Sequence, residues 1–314
     1  MTQLYIGGLA SDPNNDTHVR IISHALENGI PIHSCLKYGR ALHLIRKCME
    51  LTGRNPRLLL KIYVNSSEKW LRSPIDDQLG AAFDILQTTR LDAIQVCCNP
   101  KFEHLAEGRP FREKLRKLQS SGKVEKFYLE AYWQYSKNLY LYLNDDLFAG
   151  YVFYHNLYLR EVDSRLYDAL GRSRKEVITL RALGGNDSYF SQYFNVQQRR
   201  EVEDVYSQSG CVSMLDFRIS FVRSMPRLSG AVCGSSKFEH YLELSKKFKE
   251  VPPLSSHLRD RIVAVHNEVW ASQGVGNGEG LQRAIGRKNA MLLARSATNW
   301  FQRHRLGTQT GFDW

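Results

Sequence analysis

Lys61 lies inside the apolar run Leu58-Leu59-Leu60-Lys61-Ile62-Tyr63-Val64. A charge carried into such a segment is costly unless something meets it, because a buried ammonium without an anionic partner tends to give up its proton. A structural ion pair and a lysine tuned for proton chemistry both satisfy that requirement. Glu130 closes the run Phe127-Tyr128-Leu129-Glu130, and Arg181 closes Ile178-Thr179-Leu180-Arg181. Each is either a charge that faces a ligand or a solvated charge at the rim. His33 and Cys35 mark a second run, and Cys97 with Cys98 ends a fourth. An imidazole can activate a thiol, so a Cys/His nucleophilic pair is one reading of these residues and buried structural thiols are the other. Side chains alternate along a strand, so one of the two adjacent cysteines faces inward and the other lies under helices.

The elements that must position these residues follow from the hydrophobic pattern. Eight short apolar runs bounded by turn signals read as strands: Leu4 to Ile6, Pro31 to Cys35, Leu58 to Val64, Ala93 to Cys98, Val124 to Glu130, Tyr151 to Tyr154, Val177 to Arg181 and Gly230 to Cys233. Amphipathic segments alternate with them: Asp16 to Asn28, Arg40 to Thr52, Ile75 to Thr89, Arg112 to Ser121, Gln134 to Leu143, Val162 to Gly171, and Val196 to Ser207 with Val212 to Met225. Gly29, Gly53, Gly122 and Gly171 fall where helices should stop. Eight strand–helix units in this order predict an α/β fold, a closed (β/α)8 TIM barrel over residues 1–250, with a doubly wound open sheet as the alternative. In either, the C-terminal strand edges carrying Glu130 and Arg181 are where a site is built. Extra C-terminal helices follow over residues 251–314: a helix from His257 to Trp270, a glycine-rich link at 274–280 and a basic helix from about Leu281 to Arg305.

Composition narrows the function classes. With 43% hydrophobic residues, 22 Gly and 9 Pro in 314 positions, neither disorder nor a collagen-like repeat fits. The 43 Lys and Arg outnumber the 32 Asp and Glu, giving +11, but the basic residues are spread through every helical segment. Such a surface attracts anionic metabolites as well as polymers, and nothing in it marks a nucleic-acid site. The six cysteines have no C-x-x-C spacing, so no metal site is expected. Nowhere do about 18 apolar residues run together, and no leader pattern opens the chain, so a cytoplasmic protein without membrane spans is expected.

Seven stretches in register resemble the aldo-keto reductases. Gly29-Ile30-Pro31-Ile32-His33-Ser34-Cys35-Leu36-Lys37-Tyr38-Gly39 is similar to the family segment G-I-x-x-I-D-T-A-x-x-Y-G, and Leu59-Leu60-Lys61-Ile62 to its lysine-bearing third strand. Leu91 to Pro100 resembles the D-L-Y-L-x-H segment, and Leu118 to Val124 the L-x-x-x-G-K stretch. His155-Asn156-Leu157-Tyr158, Leu183-Gly184-Gly185 and Val232-Cys233-Gly234-Ser235-Ser236 resemble the Y-N-L, P-L-G-G and adenosine-phosphate stretches. The resemblance implies a barrel enzyme using NADP(H), with Tyr38 as proton donor and Lys61 lowering its pKa. It also implies departures. The aspartate that should hold the lysine reads His33, and the histidine that should orient the substrate reads Cys97. Glu130 is the candidate substitute anion, on condition that it lies within hydrogen-bonding range of Lys61. The nicotinamide clamp and stacking positions become Glu130, Ala131, Val152 and Leu180. Gly234, Ser235, Ser236, Lys237, His240 and Glu243 are expected at the phosphate and adenine end, with Arg181 and Asn156 at the substrate.

Three functions are compatible with these residues. One is an atypical reductase of a small, anionic carbonyl metabolite, possessing the proton donor and its activator. Another is a non-redox acid/base enzyme, a lyase, isomerase or cyclase, using Tyr38, Lys61, Glu130 and His33 on the same scaffold. The third is a binding or regulatory protein in which the catalytic set has lost its purpose.

Overall fold

The computed structural model describes residues 2–8, 11–64, 75–98, 109–130, 137–160, 162, 164–184 and 194–272. Eight parallel strands close into a ring: β1 (Gln3–Gly7), β2 (Ile32–Cys35), β3 (Leu58–Val64), β4 (Leu91–Cys98), β5 (Val124–Glu130), β6 (Phe148–Asn156), β8 (Glu176–Leu180) and β9 (Leu228–Cys233). Each pairs with its neighbour in chain order, and β9 returns to β1 through Leu4 opposite Ala231, so no edge is left open. The two-residue strand β7 (Leu159–Arg160) folds back antiparallel on the end of β6. All eight runs picked out by their hydrophobic pattern are barrel strands.

The described helices are α1 (Asp16–Glu27), α2 (Ala41–Thr52), α3 (Ile75–Leu86), α4 (Arg109–Ser120), α5 (Ser164–Arg172), α6 (Val196–Gln208), α7 (Met214–Arg223), α8 (Phe238–Glu250) and α9 (Ser256–Ser272). Their ends carry the signals that start and stop helices. Asn15 Oδ1 accepts from the His18 N–H at the start of α1, Asn195 and Gln198 form a reciprocal capping box on α6, and Gly53 ends α2 at φ 64°. Two expectations need correction. Gly171 is inside α5 rather than beyond its end; Pro226 packs at the place its missing Cβ would occupy. The α-helix predicted over Gln134 to Leu143 is replaced, among the described residues, by a 3-10 helix over Lys137–Asn144. Its buried Leu139 and Tyr142 are three residues apart, the period of that tighter helix. The glycine-rich link at 274–280 and the helix expected from Leu281 to Arg305 lie outside the described residues.

Alternation along the strands divides the core in two. In β3, Leu58, Leu60 and Ile62 point to the helices and are 0 to 1% exposed, within the larger outer layer of the core. Leu59, Ala93, Tyr128, Val152, Ile178, Leu180 and Val232 fill the barrel interior. At the N-terminal end of the strands the barrel is polar. Lys126 Nζ is 2.9 Å from Glu176 Oε1, the Tyr128 hydroxyl donates to Glu176 Oε2 at 2.6 Å, and a cavity of about 390 Å³ opens beside them. Here β6 and β8 come so close that a Cβ at Gly150 would overlap the backbone of Glu176. Helix α9 docks on the outside through Arg261, which donates from Nε to Glu201 Oε1 at 2.6 Å, and through His266, whose Nε2 donates to the Leu157 carbonyl at 3.1 Å. Beneath it His155, on the outer face of β6, is fully buried, and neither of its ring nitrogens has a hydrogen-bond partner among the described residues. No described helix is long and apolar enough to cross a membrane.

Candidate active site

At the opposite, C-terminal end of the strands the interior stops being apolar. By the same alternation, His33 and Cys35 of β2, Lys61 and Tyr63 of β3, Gln95 and Cys97 of β4, and Glu130 of β5 continue the inward row above Leu59, Ala93 and Tyr128. Register aligns Lys61 with Gln95, and Cys97 with Glu130. A carboxylate one pleat higher on β5 can therefore reach back over β4.

Three hydrogen bonds result. Lys61 Nζ donates to Glu130 Oε1 at 2.7 Å, Gln95 Nε2 donates to Glu130 Oε2 at 2.6 Å, and Gln95 Oε1 meets His33 Nε2 at 2.9 Å. Exposure is 8% at Lys61, 3% at His33 and zero at Gln95 and Glu130, so the network works away from bulk water. Burial by itself would strip the proton from Lys61. The anionic and polarisable groups around it, the Cys97 sulfur and the Glu130 carboxylate first, outweigh that and hold the ammonium well above its usual range. His33 goes the other way: burial, reinforced by the Lys61 charge, pulls its pKa down to about 3, leaving the imidazole neutral.

Tyr38 follows β2 in a turn closed by its N–H on the Cys35 carbonyl at 3.0 Å. Its ring stands edge-on to His33, with centroids 5.9 Å apart, and it is half-buried. Burial pushes the phenol up, and the Lys61 charge is the largest influence drawing it back down. Tyr63 lies between two ammonium groups, Lys37 Nζ at 3.8 Å and Lys61 Nζ at 4.9 Å from its ring centroid. Gln78 of α3 fixes that end of β3, accepting from the Tyr63 N–H and donating to the Tyr63 carbonyl.

Among the described residues no hydrogen bond joins the Cys35 thiol to His33. His33 uses Nε2 on Gln95, while the Cys35 sulfur accepts from the Lys37 N–H at 3.3 Å and burial raises its thiol. Cys97 faces inward at 7% exposure, as strand alternation requires of one member of its pair; the side chain of Cys98 lies outside the described residues.

Arg181 directly follows β8 with φ 49°, a left-handed conformation that costs a side-chain-bearing residue energy. This breaks the strand alternation, and its guanidinium lies 5.2 Å from the ring centroid of Tyr154, which packs against the inner cluster. Asn156, expected at the substrate, has its side chain bound to the backbone of the same rim. It is fully buried, donating from Nδ2 to the Arg181 carbonyl at 3.1 Å and accepting at Oδ1 from the Tyr158 N–H at 3.0 Å. It fixes the turn that carries Arg181.

At the end of β9, exposed Gly234 leads into a turn in which Ser235 Oγ accepts from the Lys237 N–H at 3.1 Å and donates to its carbonyl at 2.7 Å. Lys237 is the N-cap of α8 and provides no side-chain cap, so the first-turn N–H groups stay available to an anion beside Ser236 and Lys237. His240 and Glu243 are exposed in the first turns of the same helix. Ala131, expected beside Glu130 at the nicotinamide, lies outside the described residues.

Gln95 was not singled out by sequence. A polar amide in the run Ala93-Ile94-Gln95-Val96-Cys97, of the same parity as Cys97, was the available signal.

No protein-family model matches the chain, and no curated protein sequence matches it. Solved structures do. An aldo-keto reductase of Bacillus halodurans in its holo form superimposes with a TM-score of 0.64 at 13% identity, covering 84% of this chain and 95% of that one. An aldo/keto reductase of Klebsiella pneumoniae in complex with NADP and acetate gives 0.61 at 14% identity over 84% and 91% of the two chains. The glycerol dehydrogenase of Gluconobacter oxydans gives 0.62 at 16% identity over 83% and 90%. The chain has the fold of these enzymes.

Proposed function

We propose that the protein is an aldo-keto-reductase-like oxidoreductase that reduces a small anionic carbonyl compound with NADP(H). The observation that carries this reading is the buried Lys61–Glu130 pair at 2.7 Å, with Tyr38 in the field of the ammonium. A carboxylate from β5 performs the charge-holding task that the family gives to the position occupied here by His33.

The chain fits a dinucleotide at one end better than at the other. The α8 N-terminus, with Ser235, Ser236 and Lys237, suits a phosphate, and His240 and Glu243 suit the adenosine beyond it. At the ring end, both oxygens of Glu130 are engaged by Lys61 and Gln95, so Glu130 supplies no grip on a carboxamide. When bound, the dinucleotide supplies the hydride. Tyr38, held protonated by burial, delivers its proton to the developing alkoxide oxygen; Lys61 stabilises the phenolate left behind; and Arg181 orients the substrate carboxylate. Cys97 and His33 complete the wall around the reacting carbonyl.

The engagement of Glu130 also favours a second reading, a non-redox acid/base enzyme on the same site. Fluorescence titration with NADPH and NADH separates the two. Saturable NADPH binding is expected under the first, and absence of binding at millimolar dinucleotide removes it.

A further inference from the structure

The Lys61 network has a direction that no single residue in it reveals. Glu130, paired with the Lys61 ammonium, is a carboxylate and can only accept, so the Gln95 group facing its Oε2 must be the amide NH2. Turning Gln95 over would set two acceptors against each other where both side chains are fully buried, leaving an oxygen unpaired. With its nitrogen committed, Gln95 presents Oε1 to His33, 2.9 Å away. Two acceptors cannot share a hydrogen bond, so His33 Nε2 carries the proton. The remaining nitrogen, Nδ1, makes no hydrogen bond among the described residues.

We infer that Gln95 is a positioning residue that fixes His33 as its Nε2–H tautomer, so that His33 meets any group reaching Nδ1 as an acceptor and never as a donor. A substrate atom placed there carries a hydroxyl or N–H hydrogen. The neutral state of the buried ring is consistent with this assignment. The inference does not rest on the reductase reading: it follows from the charge of Glu130 and holds whichever reaction the site performs.

Two-bond 1H–15N correlation spectra of uniformly labelled protein read imidazole tautomers directly. The chain has 10 histidines, and the signals lost in His33→Phe identify this one. The expected result is a neutral ring protonated at Nε2, unchanged from about pH 6 to about pH 8. An Nδ1–H ring or an imidazolium in that interval overturns the proposal using the wild-type protein alone. Gln95→Leu removes the acceptor and is expected to give a mixture of both tautomers. Glu130→Gln is expected to do the same at a distance, because an amide in place of the carboxylate lets Gln95 turn either way. A pure Nε2–H ring persisting in folded Gln95→Leu overturns the role of Gln95.

Discussion

Lys61 and Glu130 come from strands that are not neighbours; their 2.7 Å contact passes across β4, through the space above Gln95. Removing one partner of a buried pair leaves the other uncompensated, at a cost of about 3–5 kcal/mol, whereas removing both together costs much less. Glu130→Leu and Lys61→Met should therefore each lower stability by about that amount, and the double variant carrying both should recover most of it. Urea unfolding of the two single variants and the double variant, combined as a cycle, measures the coupling. Additive single effects would show that the pair contributes nothing.

Among the described residues the Tyr38 hydroxyl donates no hydrogen bond, so Tyr38→Phe is expected to leave unfolding and NADPH binding unchanged while reducing turnover by about 10² to 10⁴-fold. The comparison needs a substrate, and small 2-oxo acids are the first panel to screen. A variant that loses affinity along with turnover would place the hydroxyl in binding instead.

Acid should unfold the protein steeply. His33 and His266 have pKa values of about 3, and burial holds His155 well below its usual range. Unfolded histidine titrates near 6.5, so below that pH the unfolded chain binds protons that the folded chain refuses, and stability falls as pH falls toward about 3. Three such groups give a slope of about 4 kcal/mol per pH unit within that window. Circular dichroism at fixed urea across the window measures it.

His155→Phe removes one of those protons along with two buried nitrogens that have no partner among the described residues. Replacing an unsatisfied buried group with an apolar ring of similar shape should stabilise by about 1–2 kcal/mol at neutral pH and make the acid slope shallower by about a third. A loss of stability would mean that the nitrogens have partners, such as an internal water.

At Arg181 two effects oppose each other. Glycine relieves the left-handed conformation, worth about 1–2 kcal/mol, and returns part of that as unfolded-state entropy. Arg181→Gly is thus expected to gain less than about 1 kcal/mol in stability while weakening carboxylate binding by about tenfold or more. Calorimetric titration with a 2-oxo acid checks the second half.

The barrel was legible because every strand was a compact apolar run between glycine, proline or polar turns, and because closure needs only their number and order. Lys61 was legible as a charge in an oily segment, and Glu130 as the nearest carboxylate at a strand end. Gln95 was not, since an uncharged amide in a strand is as often a solvent-facing residue; only the shared parity with Cys97 places it inward. The backbone bonds of Asn156 were hidden for a related reason. A polar residue at the rim can serve the ligand or the backbone, and the left-handed turn at Arg181 that decides between them leaves no trace in residue type. The 3-10 helix before β6 was hidden because leucine and tyrosine at spacings of three fit an α-helical stripe as well.

An amide can be polarised, but it cannot hand on a proton without rearranging its own bonds. Standing between Glu130 and His33, Gln95 therefore behaves as a dielectric spacer: it lets each feel the other's charge and itself carries no hydrogen between them. Along this chain the ammonium–carboxylate pair and the imidazole are electrically joined through a group that relays no proton.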